Sequence, residues 1–157
     1  ISNSKSQYIT NANTDDIVAP TAYEELMHEL DSDNQIGIAC CPWYTTHKPN
    51  LSWCHVNGRK YYPSPYRGDI TKTTLGHFPL WRRDVHDKVG LFDILFKSLA
   101  DADLWARIYH KTDYKFAIVN KPLGCYYYRD GENYWHKNIS SQQWDAYFKK
   151  VEEYKNA

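Results

Sequence analysis

The chain has 157 residues, 42% of them hydrophobic and 24% charged, and its 19 Lys and Arg balance 19 Asp and Glu. This composition argues for a globular protein and against both a disordered chain and a general nucleic-acid binder, which needs a basic surface to displace phosphate counterions. No apolar run approaches the roughly 20 residues that span a bilayer, and a single domain of this length can bury roughly 70% of its unfolded surface.

The first strand is expected over Tyr8 to Ala12, followed by the polar cluster Asn13-Thr14-Asp15-Asp16. Pro20 opens a helix, where a missing N–H costs nothing, and Ala22, Tyr23, Leu26, Met27 and Leu30 recur at helical spacing until residues 31–34 end it. Ile36, Ile38 and Cys40 alternate as in a strand running toward Pro42 and Trp43. From Tyr44 to Thr74 the pattern dissolves into Pro, Gly, Asn, Tyr and Lys, with at most short strands.

Leu75 to Trp81 reads as a strand entering a short helix, Asp84 to Val89, closed by Gly90 in a left-handed cap. A longer helix runs from about Ala100 to His110 with Leu104, Trp105 and Ile108 on one face. Strands are expected over Lys115 to Val119 and Gly124 to Tyr128, and a C-terminal amphipathic helix over 140–154, striped by Trp144, Phe148 and Val151. Strands and helices alternate, so the class is α/β.

Cys40, Cys41, Cys54 and Cys125 form no C-x-x-C pair, and free thiols in a reducing, cytoplasmic setting are the expectation. Cys54 and His55 lack the paired spacing of a zinc site. The 14 Tyr and 6 Trp suit sugar stacking and ordinary cores alike.

Three constellations could carry chemistry. A strand ending in Asn13-Thr14-Asp15-Asp16 places hard oxygens at the C-terminal edge of a sheet, where ligands bind and where Mg²⁺ or Mn²⁺ with diphosphate would be at home. The same residues would serve as a polar loop in which Asp16 caps the next helix. In Ala100 to Arg107, helical geometry puts Asp101 on the inward face with Leu104, Trp105 and Ile108. Asp103 falls on the wet side, four residues before Arg107. An oriented, partly buried carboxylate in a first helical turn suits a general base, although an N-cap would look the same. In the stretch 75–93, Gly76 would let a ligand approach the backbone, and His77 and Trp81 could border a cleft, with Trp81 a sugar platform or simply core.

Taken in order, these segments resemble family 2 glycosyltransferases of the GT-A fold. Asn13-Thr14-Asp15-Asp16 looks like their D-x-D metal motif, and Trp81-Arg82-Arg83 through Val89-Gly90-Leu91-Phe92-Asp93 like their R-R-x-x-x-x-x-G-x-F-D segment. Asp101-Ala102-Asp103-Leu104-Trp105-Ala106-Arg107 is similar to their E-D-x-D-L-W-x-R segment, which carries the catalytic base. The resemblance covers about Tyr8 to Arg129, with the C-terminal helix as an extension. It departs at Asn13, where an Asp is usual, and at Ala100, where a Glu is usual.

The resemblance implies a mixed sheet flanked by helices, with the N-terminal nucleotide-binding half missing, so that this piece alone would be inactive and prone to form homo-oligomers. It implies a UDP- or GDP-sugar donor held by Asn13, Asp15 and Asp16 through a divalent cation on Asp15. Asp101 would be the base of an inverting transfer to a carbohydrate acceptor bordered by Gly76, His77 and Trp81. Asp103 and Arg107 lie in the same segment as a surface ion pair, His136 would be an extra diphosphate or metal contact, and the balanced charge leaves no nucleic-acid partner expected. The alternatives are a non-catalytic carbohydrate-binding or interaction module and a degenerate transferase.

Overall fold

The computed structural model describes residues 3–48, 51–69, 72–73, 75–128 and 139–156. Its strands are β1 (Tyr8–Thr10), β2 (Ile17–Val18), β3 (Ile36–Cys40), β4 (Trp43–Thr46), β5 (Lys60–Tyr61), β6 (Leu80–Arg82), β7 (Lys115–Ile118) and β8 (Gly124–Tyr127). The helices are α1 (Ala22–Ser32), α2 (Val85–Val89), α3 (Ala100–Lys111) and α4 (Ser141–Lys155), with a 3₁₀ turn at Trp53–His55.

Two mixed sheets result. The first has the order β1-β6-β3-β7, antiparallel except for the parallel pair β3/β7. The second has the order β2-β8-β4-β5, with β8 and β4 parallel and both outer pairs antiparallel. Among its described residues the segment 44–74 contains, as expected, only short strands, most of β4 and the two-residue β5, and these pair with each other.

Strand β3 is buried along its whole length, as expected of a strand covered on both faces. Ile38 and Cys40 point into a cluster with Trp81, Leu104 and Ile108, whereas Ile36 and Ala39 join Leu26, Leu30 and Leu80 beneath α1. Ile36 and Ile38 thus face opposite sides, against the simple alternation expected, because the β3/β7 register shifts between them. Arg82 is buried and donates from Nε to Ile36 O of β3 at 2.8 Å and from Nη2 to Leu30 O, a carbonyl of the last turn of α1.

Helix α4 is no appendage. Its N-cap Ser140 accepts from Gln143 N at 3.3 Å, and Tyr147, Val151 and Tyr154 pack into the same cluster as α3. The buried stripe is rotated from the one expected: Phe148 is 48% exposed, and Tyr147 and Tyr154 take its place, the latter donating its hydroxyl to the buried Asp103 of α3. Among the described residues no helix is long and apolar enough to cross a membrane.

Candidate functional site

Helix α3 is buried from Ala102 through Ile108, so it presents two covered faces instead of one. The single-face reading of its acids is thereby reversed. Asp103 is 0% exposed, and Asp101 lies at the surface of the first turn. Packing of α4 on α3 is the physical reason, since that helix covers the side assigned to solvent. Asp103 Oδ2 receives Arg107 Nε at 2.9 Å and pairs with Nη2 at 2.7 Å, while Oδ1 accepts from Tyr154 Oη at 2.7 Å. The spacing of four residues between Asp103 and Arg107 is as expected, but the pair is a buried one.

Arg107 also reaches back, donating from Nη1 to Val89 O. Trp81 Nε1 donates to His86 Nε2 at 2.9 Å, and His86 Nδ1 lies 3.0 Å from Gly90 O, which fixes the Nδ1–H tautomer. Trp81 meets Trp105 edge to face at 5.5 Å. The segment 81–93 and the opening of α3 are therefore one bonded unit. Trp81 itself is 1% exposed, so it is core and has no ring face to offer an acceptor.

Asp101 accepts from Ala102 N at 2.8 Å. Although its surface is accessible, the protein around it removes enough hydration to raise its pKa above the ordinary carboxylate value, and backbone hydrogen bonds oppose this only in part. Asp101 also lies within electrostatic reach of Tyr147 on α4, whose own pKa is raised, chiefly by burial.

The acidic turn before β2 is organised around Asp16, which does not cap α1. Its Oδ1 accepts from Tyr127 N at 2.9 Å, and its Oδ2 accepts from Asn13 Nδ2 at 2.9 Å. Burial raises its pKa against these two bonds. Asn13 is thus the neighbour Asp16 needs, since a second carboxylate at position 13 would repel it. Asp15 is half-buried at the tip of the same turn.

Among the described residues no three His, Cys, Asp or Glu side chains gather to hold a metal ion. A hard divalent cation that keeps its waters and binds chiefly through diphosphate needs only one or two carboxylates. Asp16 is held by one hydrogen bond on each oxygen, and Asp15 at the tip of the turn is the carboxylate expected to serve such a cation, so the fit is of that limited kind.

Gly76 has φ 82, and a Cβ there would come within 2.8 Å of the Trp43 ring. Packing against Trp43 therefore accounts for this glycine without a ligand. His77 stacks on Tyr126 at 3.8 Å and meets Trp43 edge-on at 5.8 Å. Burial lowers its pKa to about 4, so it is a neutral ring at physiological pH. Leu75 lies in the buried cluster that contains Ala102 and Leu104, and Tyr126 adjoins the residue whose amide holds Asp16. The segment 75–77 thus runs from the core beneath α3 to β8.

His136 lies outside the described residues. The concavity beside β1, lined by Tyr8, Tyr23, Met27 and Leu80 among others, and the one lined by Lys88, Lys111 and Tyr114 contain none of the expected site residues. Sequence reasoning missed Tyr126, Tyr127 and Tyr154, and nothing in local patterning marks them, because each acts across a long sequence separation. No protein-family model matches the chain, and no curated protein matches it.

Proposed function

We propose that the chain is the metal- and acceptor-side part of a GT-A glycosyltransferase of family 2, acting from a UDP- or GDP-sugar on a carbohydrate hydroxyl. The observation that carries this reading is the path of segment 75–77, which links the core holding α3 and Asp101 to the strand that holds Asp16 and its turn. An acid on the first turn of α3 and an acidic turn beside β8, joined by one Gly-His segment, support this reading.

Asp101 is the proton acceptor in this reading. The acceptor hydroxyl gives its proton to the Asp101 carboxylate as its oxygen bonds the anomeric carbon, and the bond from that carbon to the diphosphate breaks with the electron pair leaving on the diphosphate. A carboxylate made more basic by lost hydration is the better base for that step. Asp103, locked by Arg107 and Tyr154, is a positioning residue that fixes the first turn of α3. A divalent cation at Asp15 would neutralise the diphosphate as a Lewis acid. Trp81 has no part in acceptor contact; Gly76 and His77 remain as the border.

The test is a nuclear magnetic resonance titration of the chain with Mn²⁺ and UDP- or GDP-sugars. Binding on the order of millimolar, about 4 kcal/mol, is expected, because diphosphate and metal contacts alone are largely offset by desolvation. Paramagnetic broadening should centre on Asp15 and Asp16, vanish in Asp15→Asn and persist in Asp101→Asn. Broadening centred elsewhere, or unchanged in Asp15→Asn, overturns the proposal.

A further inference from the structure

The chain is electrically balanced as a whole, but its charges are unevenly spread. Residues 34–68 contain no Asp or Glu, yet they carry Lys48, Arg59, Lys60 and Arg67. Among the described residues the ion pairs of the protein involve none of these four. Arg59 immediately precedes β5, the edge strand of the second sheet, and Lys60 is its first residue. A strand edge with an unneutralised positive field, in a protein with no net charge to repel or attract at long range, is a local feature in need of a partner.

The aromatic side chains around it form a track. Arg59 sits 5.1 Å above the Tyr61 ring, and Tyr61 stacks on Trp43 at 5.8 Å with an interplanar angle of 15°. Trp43 meets His77, which stacks on Tyr126. The track therefore leads from the cation at the sheet edge to the Gly76–His77 segment assigned above to the acceptor border. On the opposite face of the same strand Lys60 lies 4.8 Å from the ring of Tyr62, which is 62% exposed. The position of Arg59 is set by backbone: Thr45 N donates to Arg59 O at 3.1 Å, and a Cβ at the preceding Gly58 would lie 1.9 Å from Thr45 O.

We infer that the Arg59–Tyr61 face of the β4–β5 edge binds an anionic oligosaccharide, with Arg59 pairing an acidic group, the half-buried Tyr61 ring carrying a sugar face and the buried Trp43 ring backing Tyr61 from the core. The inference names the acceptor class for the transferase reading and rests on it. A planar guanidinium held over a ring matches a carboxylate geometrically, and the half-buried Tyr61 ring beside it gives an apolar sugar face a surface. Charge complementarity selects an acidic saccharide over a neutral one. Lys60 belongs to the other face and contributes only to the general field.

The experiment is a fluorescence or calorimetric titration of the full chain with a galacturonate hexasaccharide and with its carboxyl-reduced, neutral counterpart. The acidic form should bind at least about tenfold more tightly than the neutral one, and raising the salt from about 50 to about 300 mM should erase most of that difference. Arg59→Ala should weaken the acidic form about five- to tenfold, whereas Lys60→Ala, on the far face, should change it less than about twofold. Arg59→Lys should restore only part of the loss, since a point charge lacks the guanidinium plane.

Equal affinity for the acidic and neutral forms, equal effects of Arg59→Ala and Lys60→Ala, or tighter binding of an oligothymidylate than of the galacturonate would each overturn the inference, the last by assigning the edge to nucleic acid. Failure of the transferase reading shows separately, as loss of metal-dependent nucleotide-sugar broadening while galacturonate still binds with the stated preference.

Discussion

Tyr154 of α4 donates its hydroxyl to Asp103 of α3 at 2.7 Å, inside the core and on the carboxylate oxygen that Arg107 leaves open. The two helices are thus joined by a polar bond that neither could satisfy alone. Asp103→Asn leaves the Arg107 cation buried without its countercharge and should cost about 3 to 5 kcal/mol in urea unfolding. Tyr154→Phe keeps the ion pair and removes one hydrogen bond to a charged group, so about 1.5 to 3 kcal/mol is expected. A cost below 1 kcal/mol for Asp103→Asn, the value typical of an exposed pair, would show that the helices do not enclose it.

Asp101 should behave in the opposite sense. Its carboxylate has lost hydration without gaining a cationic partner, so neutralising it in Asp101→Asn removes a cost, and the amide oxygen can still accept from Ala102 N. The denaturation midpoint of Asp101→Asn should equal or exceed that of the parent chain. Carbon-detected titration of the Asp101 carboxyl should place its inflection above the ordinary Asp value. An inflection at or below that value would remove the basis for a strengthened base at this position.

His77 supplies a pH dependence with a definite sign. Its pKa falls from 6.5 unfolded to about 4 folded, because burial against Tyr126 and Trp43 disfavours the imidazolium. The unfolded chain therefore binds a proton below pH 6.5 that the folded chain refuses. Stability from this residue is full above that pH and is lost as pH falls toward about 4, by on the order of 3 kcal/mol. Asp16 and Asp101, whose pKa values are raised above 3.8, act the other way as pH falls through those values toward 3.8, and so offset part of the loss at the acid end of the His77 window. Urea unfolding of His77→Gln should lose distinctly less stability between pH 7 and pH 4.5 than the parent chain. Parallel losses would mean that His77 is hydrated in the folded state.

The elements that were legible in the sequence are those whose pattern is local. The periodicity of Ala22, Leu26 and Leu30 marks α1, and Gly90 marks the end of α2 at the position observed. What failed was what a second layer decides. A helical wheel can say that Asp101 and Asp103 lie on different faces, but it cannot say that α4 covers the Asp103 face, and so it assigned the buried acid to water. Trp81 could equally have been platform or core, and only the packing of Trp105 and His86 around it decides. Asp16 was legible as an acid at a strand end, whereas its partner Tyr127, far along the chain, was not. The β4–β5 pair was hidden because its second strand has two residues, too few for a period.

Thiol chemistry gives a prediction that depends on burial alone. All four cysteines are free, but Cys40, Cys41 and Cys125 are buried. Burial pushes the Cys41 thiol up to about 12 and the Cys125 thiol up to about 11, leaving almost no thiolate at neutral pH. Cys54 is exposed on the 3₁₀ turn, with His55 Nδ1 3.2 Å from its sulfur and Ser52 Oγ also 3.2 Å away. The imidazole can take the thiol proton as the sulfur attacks. An aromatic disulfide reagent at pH 7 should therefore label Cys54 promptly, as read by mass spectrometry of the peptides, and label the other three only at the rate of unfolding. His55→Ala should slow labelling of Cys54 severalfold and leave the slow phase unchanged. Prompt labelling of Cys125, which lies on β8 between β2 and β4, would mean that the second sheet opens in the native state, and the pairing of β8 with β4 would then have to be redrawn.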